Sequence, residues 1–163
     1  MSNQEEHPLL PFGLLSCIIL AGEAELSNSA VSYAYSVTTR LESLEKLRHY
    51  SCSYYVPGHG SVEREITALI ERNIAQVMEV LNLIKGYLAQ GGAEANHILK
   101  AICAHYGIKI RNVKQYFLLY PTLHSFLSHL SNSGEITHEI RDDRLFWHAI
   151  EGGDKCLSSM GLC

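Results

Sequence analysis

The chain has 163 residues, 47% of them hydrophobic, with 13 Lys+Arg against 17 Asp+Glu and a formal net charge of -4. That is enough apolar material for one domain or two very small ones, and the mild acidity gives no bulk attraction for nucleic acid or an anionic membrane. The five cysteines, Cys17, Cys52, Cys103, Cys156 and Cys163, are scattered and odd in number, with no CxxC pair, which excludes a disulfide framework and a structural zinc knuckle.

In chain order, the apolar run from Leu9 to Ala21 is interrupted by Pro11 and is too short to span a bilayer. Glu5 and Glu6 stand upstream of it with no Lys or Arg, so a signal peptide's positive start is missing and a cytoplasmic location is expected. Leu14 to Leu20 predicts a buried strand, broken by Gly22 and Glu23. Val37 to Tyr50 predicts a helix with Leu41, Leu44 and Leu47 inward and a Glu42–Lys46 pair outward. Cys52 to Val56 predicts a short aromatic strand ending in Pro57-Gly58-His59-Gly60, where proline stops the ladder and the glycines permit a tight turn around a histidine. Ser61 to about Gln90 predicts a long packing helix, capped by Ser61, with one stripe from Val62 through Ile66, Leu69, Ile70, Asn73, Ile74, Val77, Val80, Leu81 and Ile84 to Leu88.

The last part has an order of its own. Helices are predicted over 93–106, 112–119 and 122–133, the third with Leu123, Phe126, Leu127 and Leu130 as its apolar face. A strand over 135–140, a turn at Asp142-Asp143 and a returning strand over 144–150 complete three helices followed by a hairpin, the order of a winged helix. The third of these helices carries no Lys or Arg, and the basic and acidic residues of 93–150 nearly balance, so nucleic-acid binding is not expected. Residues 151–163 have no periodic signal and are expected to be a loose tail.

Leu20-Ala21-Gly22-Glu23-Ala24, the helix containing Leu41 to Leu47, and Tyr54-Tyr55-Val56-Pro57-Gly58-His59-Gly60 together resemble the C-terminal half of a metallo-β-lactamase-fold hydrolase. The end of the chain resembles the small winged-helix-like domain that several members append. The resemblance covers about residues 14–150. It implies an α/β fold: a partial αββα metallo-β-lactamase-like sandwich over residues 1–90, then a winged-helix-like α+β domain over 91–150. It also implies hydrolysis of esters, thioesters, lactams, lactones or phosphodiesters by metal-bound hydroxide. By that resemblance His59 falls on one metal ligand and Glu23 on the bridging carboxylate.

The departures matter equally. The sequence contains no His-x-His-x-Asp-His motif, and the stretch before Leu14 is too short to hold the first half of the sandwich. The bridging position holds Glu instead of Asp, whose extra methylene moves the oxygens by about 1.5 Å. A hydrolytic metal site needs about three protein ligands and an open position; His59 and Glu23 are two. The chain alone is therefore expected to be a degenerate or truncated hydrolase fragment without catalysis and without a cofactor. An exposed inner sheet would drive self-association. Two alternatives stand beside this. One is the C-terminal half of a split enzyme, with zinc (or manganese or iron) bound once an N-terminal-half protein completes the site. The other is a non-catalytic interaction or regulatory module.

Overall fold

The computed structural model describes residues 20–28, 31–50, 52, 54–56 and 61–150. They form a set of helices with a minor three-stranded open antiparallel sheet. In order these are α1 (Glu23–Asn28), α2 (Val37–Leu47), α3 (Thr67–Leu88), β1 (Ala93–Glu94), α4 (Ala95–His105), α5 (Val113–Asn132), β2 (Ile136–Arg141) and β3 (Arg144–Ala149). The chain divides into two compact units, 1–80 and 81–163, and the division falls within α3. The expected strand over Leu14–Leu20 lies outside the described residues except for Leu20, and so does the expected tail over 151–163.

In the first unit, α2 starts where the Ser36 side chain accepts a hydrogen bond from the Thr39 N–H, at 3.2 Å. Its buried face is Val37, Arg40 and Leu44, rotated from the expected Leu41/Leu44/Leu47 stripe. The rotation follows from the apolar cluster of Leu20, Leu44, Ile66, Leu69 and Ile70, against which Leu47 packs from the rim, half-buried. The outward ion pairs also differ. Arg48 joins Glu45 at 2.9 Å and Glu71 at 2.5 Å, in place of the expected Glu42–Lys46 pair. The bond to Arg48 holds the Glu71 carboxyl below its usual range.

The long helix begins six residues later than the sequence predicts. Tyr55 and Glu63 exchange both main-chain hydrogen bonds, at 2.7 and 2.9 Å, as an isolated antiparallel bridge. A backbone committed to that bridge cannot enter a helix, so Ser61 bonds the Glu63 carboxylate instead of capping, and Glu65 accepts from the Thr67 N–H at 2.7 Å. The same bridge is what stands where a strand over Cys52–Val56 was expected. From Thr67 onward the predicted stripe holds: Leu69, Ile70, Asn73, Val77, Val80, Leu81, Ile84 and Leu88 are buried, and Ile74 packs half-buried against the apolar cluster.

In the second unit Ala93 and Glu94 are not the start of a helix. They pair with β3, Ala93 opposite Trp147 and Glu94 opposite Phe146, and the sheet order is β1-β3-β2. The helices expected over 112–119 and 122–133 are one, α5. Pro121 withholds one N–H but does not end the helix: the carbonyl it leaves belongs to exposed Phe117, where water can satisfy it, and the Thr122 hydroxyl donates to the Leu118 carbonyl at 2.8 Å. The start of α5 is fixed by a reciprocal cap. Asn112 accepts from the Gln115 N–H at 3.0 Å, and Gln115 accepts from the Arg111 N–H at 2.7 Å. At its end Gly134 has φ 73°, and the N–H groups of Gly134 and Glu135 return to the carbonyls of Ser131 and Leu130, at 3.1 and 2.9 Å. The predicted inward face Leu123, Phe126, Leu127 and Leu130 is buried, as are Ile136 and Trp147 on the hairpin.

Asp142 and Asp143 have φ values of 52° and 58°, the two-residue turn whose twist matches a hairpin. Gly92 lies opposite His148, and a Cβ there would meet the imidazole at 2.2 Å. Gly92→Ala is therefore expected to lower stability by about 1–3 kcal/mol through overpacking. His148→Ala in the same chain should recover most of that loss; urea denaturation of the two single variants and the double variant measures both.

Two titrating groups in this unit act in the same direction. Burial holds the His124 imidazole below its ordinary value, and the Lys85 ammonium, 2.7 Å away, holds the Glu135 carboxyl below its usual range. A depressed folded-state value contributes stability above the unfolded value that is lost as pH falls through the folded one. Thermal midpoints are expected to drop first as pH falls below about 6.5, the His124 window, and again in the carboxylate range. His124→Gln should flatten the upper step and leave the lower one; an unchanged upper step would assign it elsewhere.

Candidate functional site

The segment entering α1 is where the sequence places a bridging carboxylate. Leu20, Ala21 and Gly22 are buried, and Glu23 opens the helix with its side chain exposed. What holds this segment is Asn73, fully buried in the second turn of α3. Its amide oxygen accepts from the Ala21 N–H at 3.0 Å. Its amide nitrogen donates to the Ala21 carbonyl at 3.0 Å and to the Leu69 carbonyl at 2.8 Å. The oxygen's second lone pair takes the Arg40 guanidinium at 3.0 Å. All four hydrogen-bonding valences of the amide are used, two of them on a single residue's main chain.

Arg40 is itself buried, and it also donates to the Tyr33 carbonyl at 3.4 Å. Beside this network the Glu23 carboxylate forms an ion pair with Arg72, one residue before Asn73 on α3. Both partners are about half exposed, at 54% and 50% for Glu23 and Arg72, so the pair adds little to stability but does occupy the carboxylate.

Of the two expected ligands only Glu23 is described, and its surroundings are cationic. Glu23 already faces a guanidinium, and the Asn73 amide that positions the segment carries a second guanidinium, Arg40. Among the described residues no group of three His, Cys, Asp or Glu side chains could hold a metal ion. His59, the other residue the sequence singles out, lies outside the described residues. The described cysteines and histidines belong to no metal-binding group of three. Cys103 is buried with its thiol pushed up by desolvation, Cys52 is exposed, and His97 and His105 are exposed on α4.

Asn73, Arg40 and Arg72 are the residues that sequence reading missed. Asn73 gave one signal: an amide inside an otherwise aliphatic stripe needs partners when buried. Nothing in the sequence identifies Ala21 as that partner. Replacing Asn73 with Leu should cost about 3 kcal/mol or more, because the Ala21 main chain and the Arg40 cation would be left buried without their hydrogen bonds. Chemical denaturation measures this; a cost below about 1 kcal/mol would mean that the amide is dispensable.

No protein-family model matches the chain, and no curated protein matches it. Among solved structures, the chain is similar to a beta-lactamase domain protein from Burkholderia ambifaria, with a TM-score of 0.63 and 18% identity. The match covers 82% of this chain but 37% of that one, so the chain spans little over a third of that protein's length. The likeness is distant and concerns the fold: part of a beta-lactamase-domain arrangement, with no metal-binding cluster among the described residues.

Proposed function

We propose that this chain is a hydrolase-like module of metallo-β-lactamase type that is not catalytic by itself. In this reading residues up to about 90 form the C-terminal part of the sandwich, and residues 91–150 form a winged-helix-like domain. The structural likeness to a beta-lactamase domain protein supports the first assignment. The antiparallel order β1-β3-β2, with α4 and α5 between β1 and β2, supports the second.

The observation that carries the functional reading is the state of Glu23. The residue at the bridging-ligand position is engaged by Arg72, on a segment pinned by an amide that also binds Arg40. A carboxylate used this way neutralises a protein cation. A hydrolytic centre would need it to help hold a metal and its water.

The second reading is a half-site completed by residues of another polypeptide segment, and the much greater length of the similar structure favours keeping it. In that case His59 and Glu23 would contribute ligands to zinc, manganese or iron only after the partner docks. Arg72 would have to release Glu23.

Elemental analysis of protein purified without an affinity tag or chelator separates these readings. The expected result is substoichiometric zinc, manganese and iron, with no binding heat on titration of zinc and no change in Arg72→Ala. A full equivalent that survives dialysis and disappears in His59→Ala would overturn the non-catalytic reading. Metal uptake that appears only when a complementing segment is added would select the half-site reading.

A further inference from the structure

The hairpin of the second unit ends in a strand that nothing described covers. β2 is at the edge of the sheet, and Thr137 through Arg141 are all exposed. The register puts Arg141 opposite Arg144 across the two-residue turn, so these two form the hydrogen-bonded pair that closes the hairpin. Alternation then directs the main-chain groups of Glu139 inward to β3 and those of His138 and Ile140 outward, where no described residue bonds them. Ile140 is 76% exposed, and its cross-strand neighbour Leu145 is 37% exposed on the same face. Edges of this kind are usually blunted by proline, a bulge or charged side chains; β2 has no proline and no bulge, and its two charged residues, Glu139 and Arg141, are of opposite sign.

The charges on β2 choose its partner. Glu139 and Arg141 flank Ile140 on the opposite face. Read antiparallel against itself, Glu-Ile-Arg meets Arg-Ile-Glu, its own complement. We propose that β2 is an interface between two copies of this chain, paired antiparallel about a two-fold axis at Ile140. Ile140 meets Ile140 of the second copy through the outward main-chain groups. Glu139 of each copy stands opposite Arg141 of the other, in the non-hydrogen-bonded positions where side chains approach most closely.

Other registers are poorer. Centring on Glu139 or on Arg141 brings like charges face to face. Centring on His138 sets Ile140 against Ile136, which is 2% exposed within its own unit and has no surface to offer. A two-fold axis at Ile140 also joins the two Leu145–Ile140 pairs into one apolar strip across the sheets. This inference rests on the second unit and is independent of the reading of Glu23 and His59.

The test is sedimentation velocity on the full chain over a concentration series, with circular dichroism to confirm folding. The parent is expected to show a concentration-dependent dimer. Glu139→Arg and Arg141→Glu should each weaken it about tenfold or more, because each turns two attractive cross-strand pairs into two repulsive ones. The double variant E139R/R141E should restore it, which the internal contacts of Glu139 with His148 and of Arg141 with Phe146 would not do. Ile140→Cys should add a disulfide-linked dimer beyond that of the parent, and Leu145→Cys should not. A chain that is monomeric at every concentration overturns the proposal. So does a dimer indifferent to either charge reversal, or one that the double variant fails to restore.

Discussion

The first unit depends on one amide. A primary amide presents an acceptor and a donor side by side, as a peptide group does, and Asn73 uses both to bind the main chain of Ala21 as a neighbouring strand would. Aspartate could not donate, and leucine could do neither. The aliphatic stripe of α3 supplies burial but is indifferent to sliding by a turn; the amide has one position at which all its valences are met. Arg40 depends on the same atom, since a buried guanidinium requires acceptors and Asn73 Oδ1 is one of them. Helices α2 and α3 and the segment before α1 are thus joined through one side chain.

That solution shapes the chemistry near Glu23. In a metal centre a carboxylate at a strand end works because the cation it faces is the metal. Here the facing cation is Arg72. Glu23 resembles a ligand in sequence, and in the structure its carboxylate pairs with an arginine.

The second unit is organised more locally. The reciprocal Asn112–Gln115 cap, the Gly134 turn with its returning hydrogen bonds, and the Asp142-Asp143 turn each lie within a few residues of sequence. Two long-range features join them. The short β1 adds to β3, and the imidazole of His148 occupies the space that a side chain at residue 92 would need. His148 also lies 3.2 Å from the Glu139 carboxylate, without the alignment of a hydrogen bond, so it is held mainly by packing.

The sequence by itself determined the long aliphatic stripe of α3, the apolar face of α5, the end of α5 at Gly134 and the hairpin with its aspartate turn. Each is written in a local period or a local backbone requirement. Only the tertiary structure decided where α3 begins, because Glu63 is claimed by Tyr55. The same holds for the continuation of α5 through Pro121, where what matters is whether the orphaned carbonyl is exposed. It also decided which face of α2 is buried and that Ala93-Glu94 is a strand. The candidate site was legible as residue types, Glu23 above all, but not as chemistry. Asn73 lies 52 residues from Ala21, and pairings at that distance depend on how the chain folds back, which no periodicity records.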